Sequence, residues 1–317
     1  MERVLITTKM MSNEFDFHIK ELASLGLKVD IRTPAQNYLE QEILAWDFDF
    51  DVWICGDDEI TAAVVNKAES RVKAIIKWGV GLDSIDVSAV GLSNIELVNF
   101  PNMLGPAVSE LAVFYAGALC RKIIPVDTRV RGGEWYRPQT SLLSGAKVLI
   151  IGYGDVGRNI ATRLAGFSCE IAVVDPGVNT QDGPPAIKLY SRLSEVSQKF
   201  NFLFIACPYT PKTHNSIRYA NLARLIPGGY LINVSRGGIC GESDLLAALD
   251  DGTINGAALD VYSTEPLCSD SPLRYADNLL LGSHNASNTF ETKHKVTESV
   301  VSEVRRIKTK VLEQKSK

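Results

Sequence analysis

The sequence predicts an α/β protein made of two doubly wound units, and three observations support this prediction. Short apolar runs alternate with helix-like segments from one end of the chain to the other, a pattern typical of parallel strands joined by crossover helices. The strand-like runs are almost continuously apolar, which indicates sheets covered by helices on both faces. The length of 317 residues favours two domains, at roughly 150 residues per domain.

The first half of the chain contains five predicted strands. Each is a run rich in β-branched or aromatic residues, and they lie at 4–8, 28–32, 51–56, 73–79 and 95–100. Between the first two, the amphipathic segment 13–26 is predicted to be a helix. It ends at Gly26, a residue that suits the position following a helix C-terminus.

The second half of the chain repeats this alternation of strand-like and helix-like segments. The mostly apolar segment 101–121 contains a Gly-Pro start and predicts a long helix, which we expect to cross between the two units. The segment 179–186 is interpreted as a connecting loop. Six further strands are predicted at 147–152, 170–175, 202–207, 230–235, 256–261 and 279–284.

The last predicted helix begins at Asn288, which could form a capping box with Glu291. Its apolar residues recur at helical spacing, and its Lys-rich opposite face is interpreted as a solvated surface. The apolar face consists of Val296, Val300, Val304, Ile307 and Val311.

Composition argues against several classes of partner. The 33 Lys and Arg residues and 37 Asp and Glu residues give a formal net charge of −4, whereas nucleic-acid binding needs a clustered excess of Lys and Arg. No apolar run approaches the roughly 20 residues that span a bilayer, and the first residues contain no signal-peptide core. We therefore expect a cytoplasmic protein without a membrane or nucleic-acid partner.

The six cysteines contain no C-x-x-C pair. Small buried side chains in a reducing cytoplasm are the favoured interpretation, and a disulfide or metal set is the alternative. Cys55 and Cys207 lie in strand-like apolar runs, as this interpretation requires. No bound metal is therefore expected.

A glycine-rich turn carries the first functional signal. The segment 152–157 reads Gly-Tyr-Gly-Asp-Val-Gly between a predicted strand and a predicted helix. In such a turn Gly152 permits the tight bend, Gly154 admits a pyrophosphate to the backbone, and Gly157 lets helix and strand pack closely. The phosphates would bind the amides at the helix N-terminus. A dinucleotide site is favoured over the alternative, a glycine turn without a ligand.

The next strand ends at Asp175, 18 residues after Gly157. A carboxylate there can accept hydrogen bonds from ribose hydroxyls and would repel a 2′-phosphate. The next two residues are Pro176 and Gly177, so no Arg stands there to bind a 2′-phosphate. NAD is therefore favoured over NADP.

Three polar residues follow predicted strands of the second unit: Arg236, Glu265 and His284. Ligands of doubly wound sheets bind outside the carboxyl ends of the strands. An imidazole can accept the proton released with a hydride, a carboxylate can orient that imidazole, and a guanidinium binds a planar carboxylate. A lone His is usually structural and an Arg is often a surface cap. Their joint placement beside a dinucleotide turn favours a hydride-transfer site.

The sequence around these residues resembles the D-isomer-specific 2-hydroxyacid dehydrogenase family. The similar blocks are GYGDVG, NVSRGGI, ALDVYSTEPL and GSHNAS, together with segments 77–86, 98–112, 132–135 and 207–213. The resemblance implies a Rossmann-type NAD domain (100–285) inserted into a smaller, flavodoxin-like substrate domain (1–99 and 286–317). It also implies a homodimer packed largely through the cofactor domains.

The resemblance further implies a role for each matching residue. Arg236 would anchor the substrate carboxylate and carbonyl, His284 would be the acid/base, and Glu265 would pair with it. The backbone amides of Val80 and Gly81 would hold the substrate carboxylate. Asp260 would contact the nicotinamide amide, with Val234 nearby. The other cofactor contacts would be Gly152, Tyr153, Gly154, Asp155, Val156, Gly157, Asp175, Cys207, Pro208 and Thr213.

The substrate is less well specified. Phosphoglycerate dehydrogenases of this family commonly carry basic residues near the substrate turn, and Lys77 could serve. Asp57 and Asp58 stand where another base is frequent, and Trp78 is bulky where a small residue is frequent. No regulatory domain follows the last helix in this sequence, so the serine-feedback form of that enzyme is not expected.

We therefore expect an NAD-dependent enzyme that interconverts a small D-2-hydroxy acid and its 2-keto acid. A phosphorylated substrate such as 3-phosphoglycerate remains an option. The alternative function is an NAD-sensing, corepressor-like binding protein on the same scaffold. Arg236, Glu265 and His284 are all present, which favours the enzyme.

Overall fold

The computed structural model describes residues 1–11, 16–34, 36–178 and 187–315. They form two compact units, Met1–Leu104 with Asn288–Lys317, and Gly105–Ser287. In the chain, the second unit is thus inserted into the first. The sequence analysis placed the corresponding boundaries after residues 99 and 285. The predicted loop 179–186 and the first residues of the predicted helix 13–26 lie outside the described part of the chain.

Each of the eleven predicted strand runs contains a strand. Among the described residues, the strands are β1 (Arg3–Ile6), β2 (Lys28–Ile31), β3 (Val52–Cys55), β4 (Ala74–Lys77), β5 (Glu96–Val98), β6 (Lys147–Ile151), β7 (Glu170–Val174), β8 (Ile187–Tyr190), β9 (Phe202–Ile205), β10 (Tyr230–Asn233), β11 (Gly256–Leu259) and β12 (Leu279–Leu281). The α-helices are α1 (Asp16–Ser24), α2 (Glu40–Leu44), α3 (Ala62–Ala68), α4 (Val87–Leu92), α5 (Gly105–Cys120), α6 (Ile123–Arg131), α7 (Asp155–Ala165), α8 (Tyr219–Leu225), α9 (Glu242–Asp250) and α10 (Phe290–Lys315).

The first unit is built on a five-stranded parallel sheet with the order β2-β1-β3-β4-β5. This is the flavodoxin-like order, in which the chain reverses direction across the sheet between β1 and β3. Successive side chains of a strand point to opposite faces. Val4 and Ile6 accordingly lie in one buried cluster, whereas Leu5 lies in the other, on the opposite face.

The C-terminal helix α10 covers one face of this sheet. Its predicted apolar face is confirmed, because Val296, Val300, Val304 and Ile307 are buried in the same cluster as Val4, and Val311 packs against that cluster. The predicted capping box at Asn288 is wrong by one position. The helix is capped by Thr289, whose hydroxyl oxygen accepts a hydrogen bond from the Thr292 amide at 3.2 Å.

The second unit contains a seven-stranded parallel sheet with the order β12-β11-β10-β9-β6-β7-β8. Here the chain reverses direction across the sheet between β6 and β9, which is the position where doubly wound sheets bind ligands. Helix α5 packs against α7 and against strands β10 and β11. It therefore lies within the second unit, and the prediction that this helix crosses between the units is wrong.

Strand β8 was not predicted. It pairs with β7 at the edge of the sheet, with Ile187 opposite Ile171. Its sequence, Ile-Lys-Leu-Tyr, is only four residues long and is interrupted by the exposed Lys188. It therefore lacks the continuous apolar run that marks the central strands.

The cysteines follow the favoured interpretation in part. Cys55, Cys120, Cys207 and Cys240 are buried, Cys169 is half-buried and Cys268 is exposed, and all six are unbridged. Burial raises the pKa of the Cys55 and Cys240 thiols to about 12, so these thiols are protonated and poorly nucleophilic. In the described residues no helix is both long enough and apolar enough to cross a bilayer.

Candidate active site

The glycine turn joins β6 to α7 at the point where the strand order reverses. Gly152 has a φ of +96°, and a Cβ on it would lie 2.6 Å from the Cys207 backbone at the end of β9. A Cβ on Gly157 would lie 2.0 Å from the Gly152 carbonyl oxygen. Both positions therefore require glycine. At Gly154, by contrast, a Cβ would have no atom of the described residues within 4 Å, which is the opening that a pyrophosphate needs.

The first turn of α7 supplies the amides of Asp155 and Val156. Helix N-terminal amides lack intrahelical acceptors and carry the positive end of the helix dipole, so this turn can bind an anion. The Asp155 side chain turns towards α5, where its carboxylate accepts a hydrogen bond from the Gly105 amide at 2.8 Å. The sequence analysis missed this contact.

Asp175 follows β7 beside the glycine turn. One carboxylate oxygen accepts a hydrogen bond from the Tyr153 amide and the other from the Gly177 amide, both at 2.7 Å. These bonds fix the carboxylate next to the phosphate-binding turn. Each oxygen can accept more than one hydrogen bond, so the carboxylate retains capacity for ribose hydroxyl groups.

The remaining predicted cofactor residues lie in the loops after β9 and β10. Cys207 and Val234 are buried at the ends of these strands, and the Cys207 carbonyl accepts a hydrogen bond from the Ser235 hydroxyl. The Thr213 hydroxyl donates to the Pro208 carbonyl at 2.8 Å and thus closes the 208–213 loop. These contacts give the edge of the site a defined shape.

Arg236, Glu265 and His284 follow three neighbouring strands, β10, β11 and β12. The loops that carry them are packed tightly. A Cβ on Gly237 would lie 1.9 Å from the Tyr262 carbonyl carbon, so the Arg236 loop rests directly on the Glu265 loop. Arg236 itself is half-buried, and its Nη1 donates to the Ser235 carbonyl at 2.9 Å.

Glu265 and His284 form a close pair. Glu265 Oε2 lies 2.6 Å from His284 Nδ1, and the two side chains are 21% and 30% exposed. The second carboxylate oxygen, Oε1, accepts a hydrogen bond from the Tyr262 amide at 2.9 Å. Glu265 is thus fixed by the backbone on one side and meets the imidazole on the other. This geometry leaves Nε2 as the ring nitrogen that points away from Glu265.

Asp260 directly follows β11. Its carboxylate is fully buried and accepts hydrogen bonds from the amides of Asn285 and Ala286, at 3.1 and 2.9 Å. Burial raises the pKa of this carboxyl, although the two amides oppose the shift. Asp260 therefore holds the loop that carries His284, a contact that the sequence could not reveal.

In the first unit, Lys77 ends β4. It is buried, with 3% of its surface exposed, and its ammonium group donates to the Gly56 carbonyl and to Asp57 Oδ1, both at 2.5 Å. Val80 is exposed, and its carbonyl accepts a hydrogen bond from the Asn99 side chain at 2.8 Å. Gly81 follows it in the same turn.

Trp78 belongs to the core of the first unit. It is buried, and its indole N–H donates to the Thr297 hydroxyl on α10 at 3.1 Å. Asp58 is also buried, where desolvation raises the pKa of its carboxyl. It accepts hydrogen bonds from the Thr7 hydroxyl and the Tyr38 amide. Of the two acids after β3, Asp57 is exposed and Asp58 is buried.

Comparison with known proteins agrees with this architecture. A model of the D-isomer specific 2-hydroxyacid dehydrogenase NAD-binding domain matches residues 113–286. The chain is 33% identical over 238 residues to a glyoxylate/hydroxypyruvate reductase of Arabidopsis thaliana, covering 73% of this chain and 74% of the relative. It is 29% identical over 311 residues to a D-3-phosphoglycerate dehydrogenase of Methanocaldococcus jannaschii, covering 97% of this chain.

The chain spans only 57% of the length of the Methanocaldococcus relative. Among solved structures, the NAD-dependent formate dehydrogenase of Staphylococcus aureus in complex with NAD superposes with a TM-score of 0.83 at 26% identity. That match covers 96% of this chain and 95% of the other. The chain belongs to the D-isomer specific 2-hydroxyacid dehydrogenase family, and its second unit contains the NAD-binding domain of that family.

Proposed function

We propose that this protein is an NAD-dependent oxidoreductase that interconverts a small D-2-hydroxy acid and its 2-keto acid. The observation that carries the proposal is the 2.6 Å pair of Glu265 and His284 at adjacent strand ends, on the sheet that also forms the glycine turn. A histidine oriented by a carboxylate is a suitable proton acceptor and donor near neutral pH.

The proposed roles are those that the family resemblance implies, and the geometry of the Glu265–His284 pair supports them. When bound, NAD supplies the group that takes the hydride from C2 of the hydroxy acid, or returns it to the keto acid as NADH. His284 takes the hydroxyl proton at Nε2 during oxidation and gives it back during reduction. Glu265 fixes the tautomer through Nδ1 and stabilises the protonated imidazole. Arg236 binds the substrate carboxylate and polarises the carbonyl.

The residues around the glycine turn fit this cofactor. The amides of Asp155 and Val156 would bind the pyrophosphate, with Gly154 providing room for it. Asp175 supports NAD over NADP, because its fixed carboxylate can accept ribose hydroxyl groups and would repel a 2′-phosphate. In the loops after β9 and β10, Cys207, Pro208, Thr213 and Val234 would line the adenosine and nicotinamide portions.

The first unit supports a substrate without a phosphate group. We propose that the Val80 and Gly81 amides bind the substrate carboxylate. Lys77 is the base that a phosphate would need, but its ammonium already pairs with Asp57 at 2.5 Å. A short 2-keto acid without a phosphate group, such as glyoxylate or hydroxypyruvate, is therefore favoured over a phosphorylated one.

A homodimer formed through the second unit is part of the proposal. Six large apolar side chains in α5, α6 and the segment after α6 are exposed, and apolar surface of this kind commonly marks a protein interface. They are Phe114, Ile123, Ile124, Val130, Trp135 and Leu142. These side chains belong to the NAD-binding unit, through which the family resemblance implies that the homodimer forms.

We also propose a cytoplasmic location, with which the unbridged cysteines are consistent.

The test is NADH oxidation with a panel of 2-keto acids that includes glyoxylate, hydroxypyruvate, pyruvate and 3-phosphohydroxypyruvate. We expect turnover with the short unphosphorylated acids and a lower kcat/KM for the phosphorylated one. NADH binding without turnover of any acid would overturn the enzyme proposal and support the corepressor-like alternative. Efficient use of 3-phosphohydroxypyruvate alone would overturn the substrate assignment.

A further inference from the structure

The loop that carries Arg236 is in contact with two other loops. Arg236 is followed by two glycines, Gly237 and Gly238. The Gly237 backbone packs against Tyr262, and a Cβ on Gly238 would lie 2.8 Å from Cε2 of the Tyr209 ring. The Tyr209 ring therefore lies directly on the backbone, two residues after the proposed substrate-binding arginine.

Gly238 is needed for space and not for an unusual backbone conformation. Its φ does not lie in the left-handed region that favours glycine. A Cβ at this position would also lie 3.3 Å from both Cζ and the hydroxyl oxygen of Tyr209, which is closer than ordinary packing allows. The bare backbone of Gly238 and the ring of Tyr209 are thus complementary surfaces.

The Tyr209 ring is fixed at its hydroxyl group. The hydroxyl oxygen lies 2.9 Å from His214 Nδ1, and the two rings meet edge to face with their centroids 5.8 Å apart. His214 Nε2 lies 3.0 Å from the side-chain nitrogen of Asn215. Because both ring nitrogens of His214 are within hydrogen-bonding distance of a polar group, the direction of the imidazole is defined.

The residue after His214 makes a second contact with the Arg236 loop. The backbone amide of Asn215 donates a hydrogen bond to the Gly238 carbonyl at 2.8 Å. Asn215 has a φ of +47°, a conformation that few non-glycine residues adopt and that persists where surrounding contacts impose it. Gly238 is thus held by the Tyr209 ring and by the Asn215 amide, and His214 connects these two residues.

A compact turn brings Tyr209 and His214 together. The Thr210 amide donates to the Thr213 hydroxyl oxygen at 2.7 Å, and the His214 amide donates to the Thr210 carbonyl at 2.9 Å. These bonds are formed within the chain itself. The contact between the Tyr209 hydroxyl and the imidazole therefore follows from the local fold of the loop.

We propose that Tyr209 is a positioning residue for Arg236, because its ring, held by His214, fixes the backbone that carries the guanidinium group. The inference rests on the proposed substrate-binding role of Arg236. A guanidinium binds a carboxylate best through two parallel hydrogen bonds, and a small displacement of such a group is costly to the reaction. Arg236 Nη1 donates to the Ser235 carbonyl of the same loop, so the path of this backbone also directs the side chain.

The experiment compares the full chain with three variants. Tyr209→Phe keeps the ring and removes the hydroxyl, and Tyr209→Ala removes both. Tyr219→Phe is the matched control, because the Tyr219 hydroxyl also has two partners in the second unit, Asp251 Oδ2 at 2.7 Å and the Thr253 hydroxyl at 2.9 Å. For each protein, KM and kcat are measured for glyoxylate, and the dissociation constant of NADH is measured by fluorescence titration.

We expect Tyr209→Ala to raise the KM for glyoxylate and to lower kcat/KM about 10- to 100-fold, with the NADH dissociation constant changed less than about threefold. Tyr209→Phe should lower kcat/KM about two- to tenfold, since its ring still covers Gly238. Tyr219→Phe should match the wild type. A weakened NADH affinity in Tyr209→Ala with an unchanged KM for glyoxylate would overturn the proposal, because Tyr209 would then be a cofactor contact.

A double variant tests whether Tyr209 acts through Arg236. In Arg236→Lys the side chain is a point charge that cannot bind a carboxylate bidentately, so the exact orientation of its loop matters less. Adding Tyr209→Ala to this variant should therefore lower kcat/KM less than about threefold, because the effects of coupled residues are not additive. An equal loss in both backgrounds would contradict the inference.

Hydrogen–deuterium exchange separates the failure of this inference from the failure of the proposed function, because it needs no turnover. The peptide 236–241 contains the Cys240 amide, which donates to the Gly237 carbonyl at 3.2 Å. Exchange in this peptide should be faster in Tyr209→Ala and unchanged in Tyr219→Phe. Unchanged exchange in Tyr209→Ala would overturn the inference. A wild type without turnover would overturn the proposed function, and exchange would still show whether Tyr209 fixes the loop.

Discussion

Replacing Glu265 by Gln tests the proposed acid/base pair most directly. In the wild type the two carboxylate oxygens have separate tasks, since Oε1 accepts from the Tyr262 amide and Oε2 meets His284 Nδ1. A glutamine cannot perform both. If its carbonyl stays on Tyr262, its NH₂ group faces Nδ1 and favours the tautomer with the proton on Nε2. If its carbonyl turns to His284, the NH₂ group opposes the Tyr262 amide.

The size of the effect follows from the geometry of the pair. The atoms are 2.6 Å apart, and both side chains are less than a third exposed, at 21% and 30%, so solvent screens the interaction only in part. Hydrogen bonds to charged groups contribute about 1.5–3 kcal/mol. At 1.36 kcal/mol per pH unit, this free energy corresponds to a shift of about 1–2 units in the pH at which the imidazole loses its proton.

The sign of the shift is fixed by the reaction. Reduction of the keto acid needs a protonated imidazole, so its rate falls as pH rises. Without the carboxylate the protonated form is less stable, and the midpoint of this fall should move to lower pH by about 1–2 units. The assay is the initial rate of NADH oxidation with saturating keto acid across a pH series.

The control is Glu242→Gln. Glu242 also accepts a hydrogen bond from an amide of the same loop, that of Ser263 at 2.7 Å, but it is not paired with His284. Its pH profile should match the wild type. An unchanged midpoint in Glu265→Gln, or an equal shift in both variants, would refute the reasoning that the Glu265 carboxylate stabilises the protonated histidine.

Three further predictions concern the cofactor, the substrate and the assembly. In Asp175→Ala, the ratio of kcat/KM with NADH to kcat/KM with NADPH should fall by at least about tenfold, because the carboxylate that repels a 2′-phosphate is removed. An unchanged ratio would show that Asp175 does not determine the choice between the two cofactors. Asp57→Ala should free the Lys77 ammonium from its ion pair and raise the kcat/KM for 3-phosphohydroxypyruvate about tenfold relative to that for glyoxylate. The measurement is a competition between the two acids, and an unchanged ratio of the two kcat/KM values would contradict the substrate assignment. Ile124→Asp and Trp135→Asp should each shift the protein from dimer to monomer in sedimentation velocity, and a wild type that sediments as a monomer would disprove the interface.

The sequence predicted the elements that depend on local pattern. Strands such as β6 and β9 are continuous apolar runs, and this pattern arises because both faces of a parallel sheet are covered. The glycine turn was equally predictable, since steric crowding at Gly152 and Gly157 allows no side chain there. The sequence analysis selected Arg236, Glu265 and His284 because each lies in the loop that follows a recognisable strand.

The features that escaped prediction depend on contacts between distant parts of the chain. The partner of Lys77 is Asp57, 20 residues away, and a count of charges cannot show that the two are paired. The carboxylate of Asp260 bonds to amides 25 and 26 residues along the chain. The N-cap of α10 is Thr289 and not the predicted Asn288. Both residues have a side-chain oxygen that can cap a helix, and the path of the loop in the folded chain decides which of them does so.

The interleaved order of the two units has a consequence for synthesis on the ribosome. The sheet of the first unit is complete by residue 98, yet the apolar face that covers Val4 and Ile6 belongs to α10, which begins at Phe290. The intervening unit has its whole sequence available before that helix is made. We therefore expect the inserted unit to fold first during translation. Until α10 has been synthesised, the sheet of the first unit exposes an apolar face, and we expect chaperones to bind it.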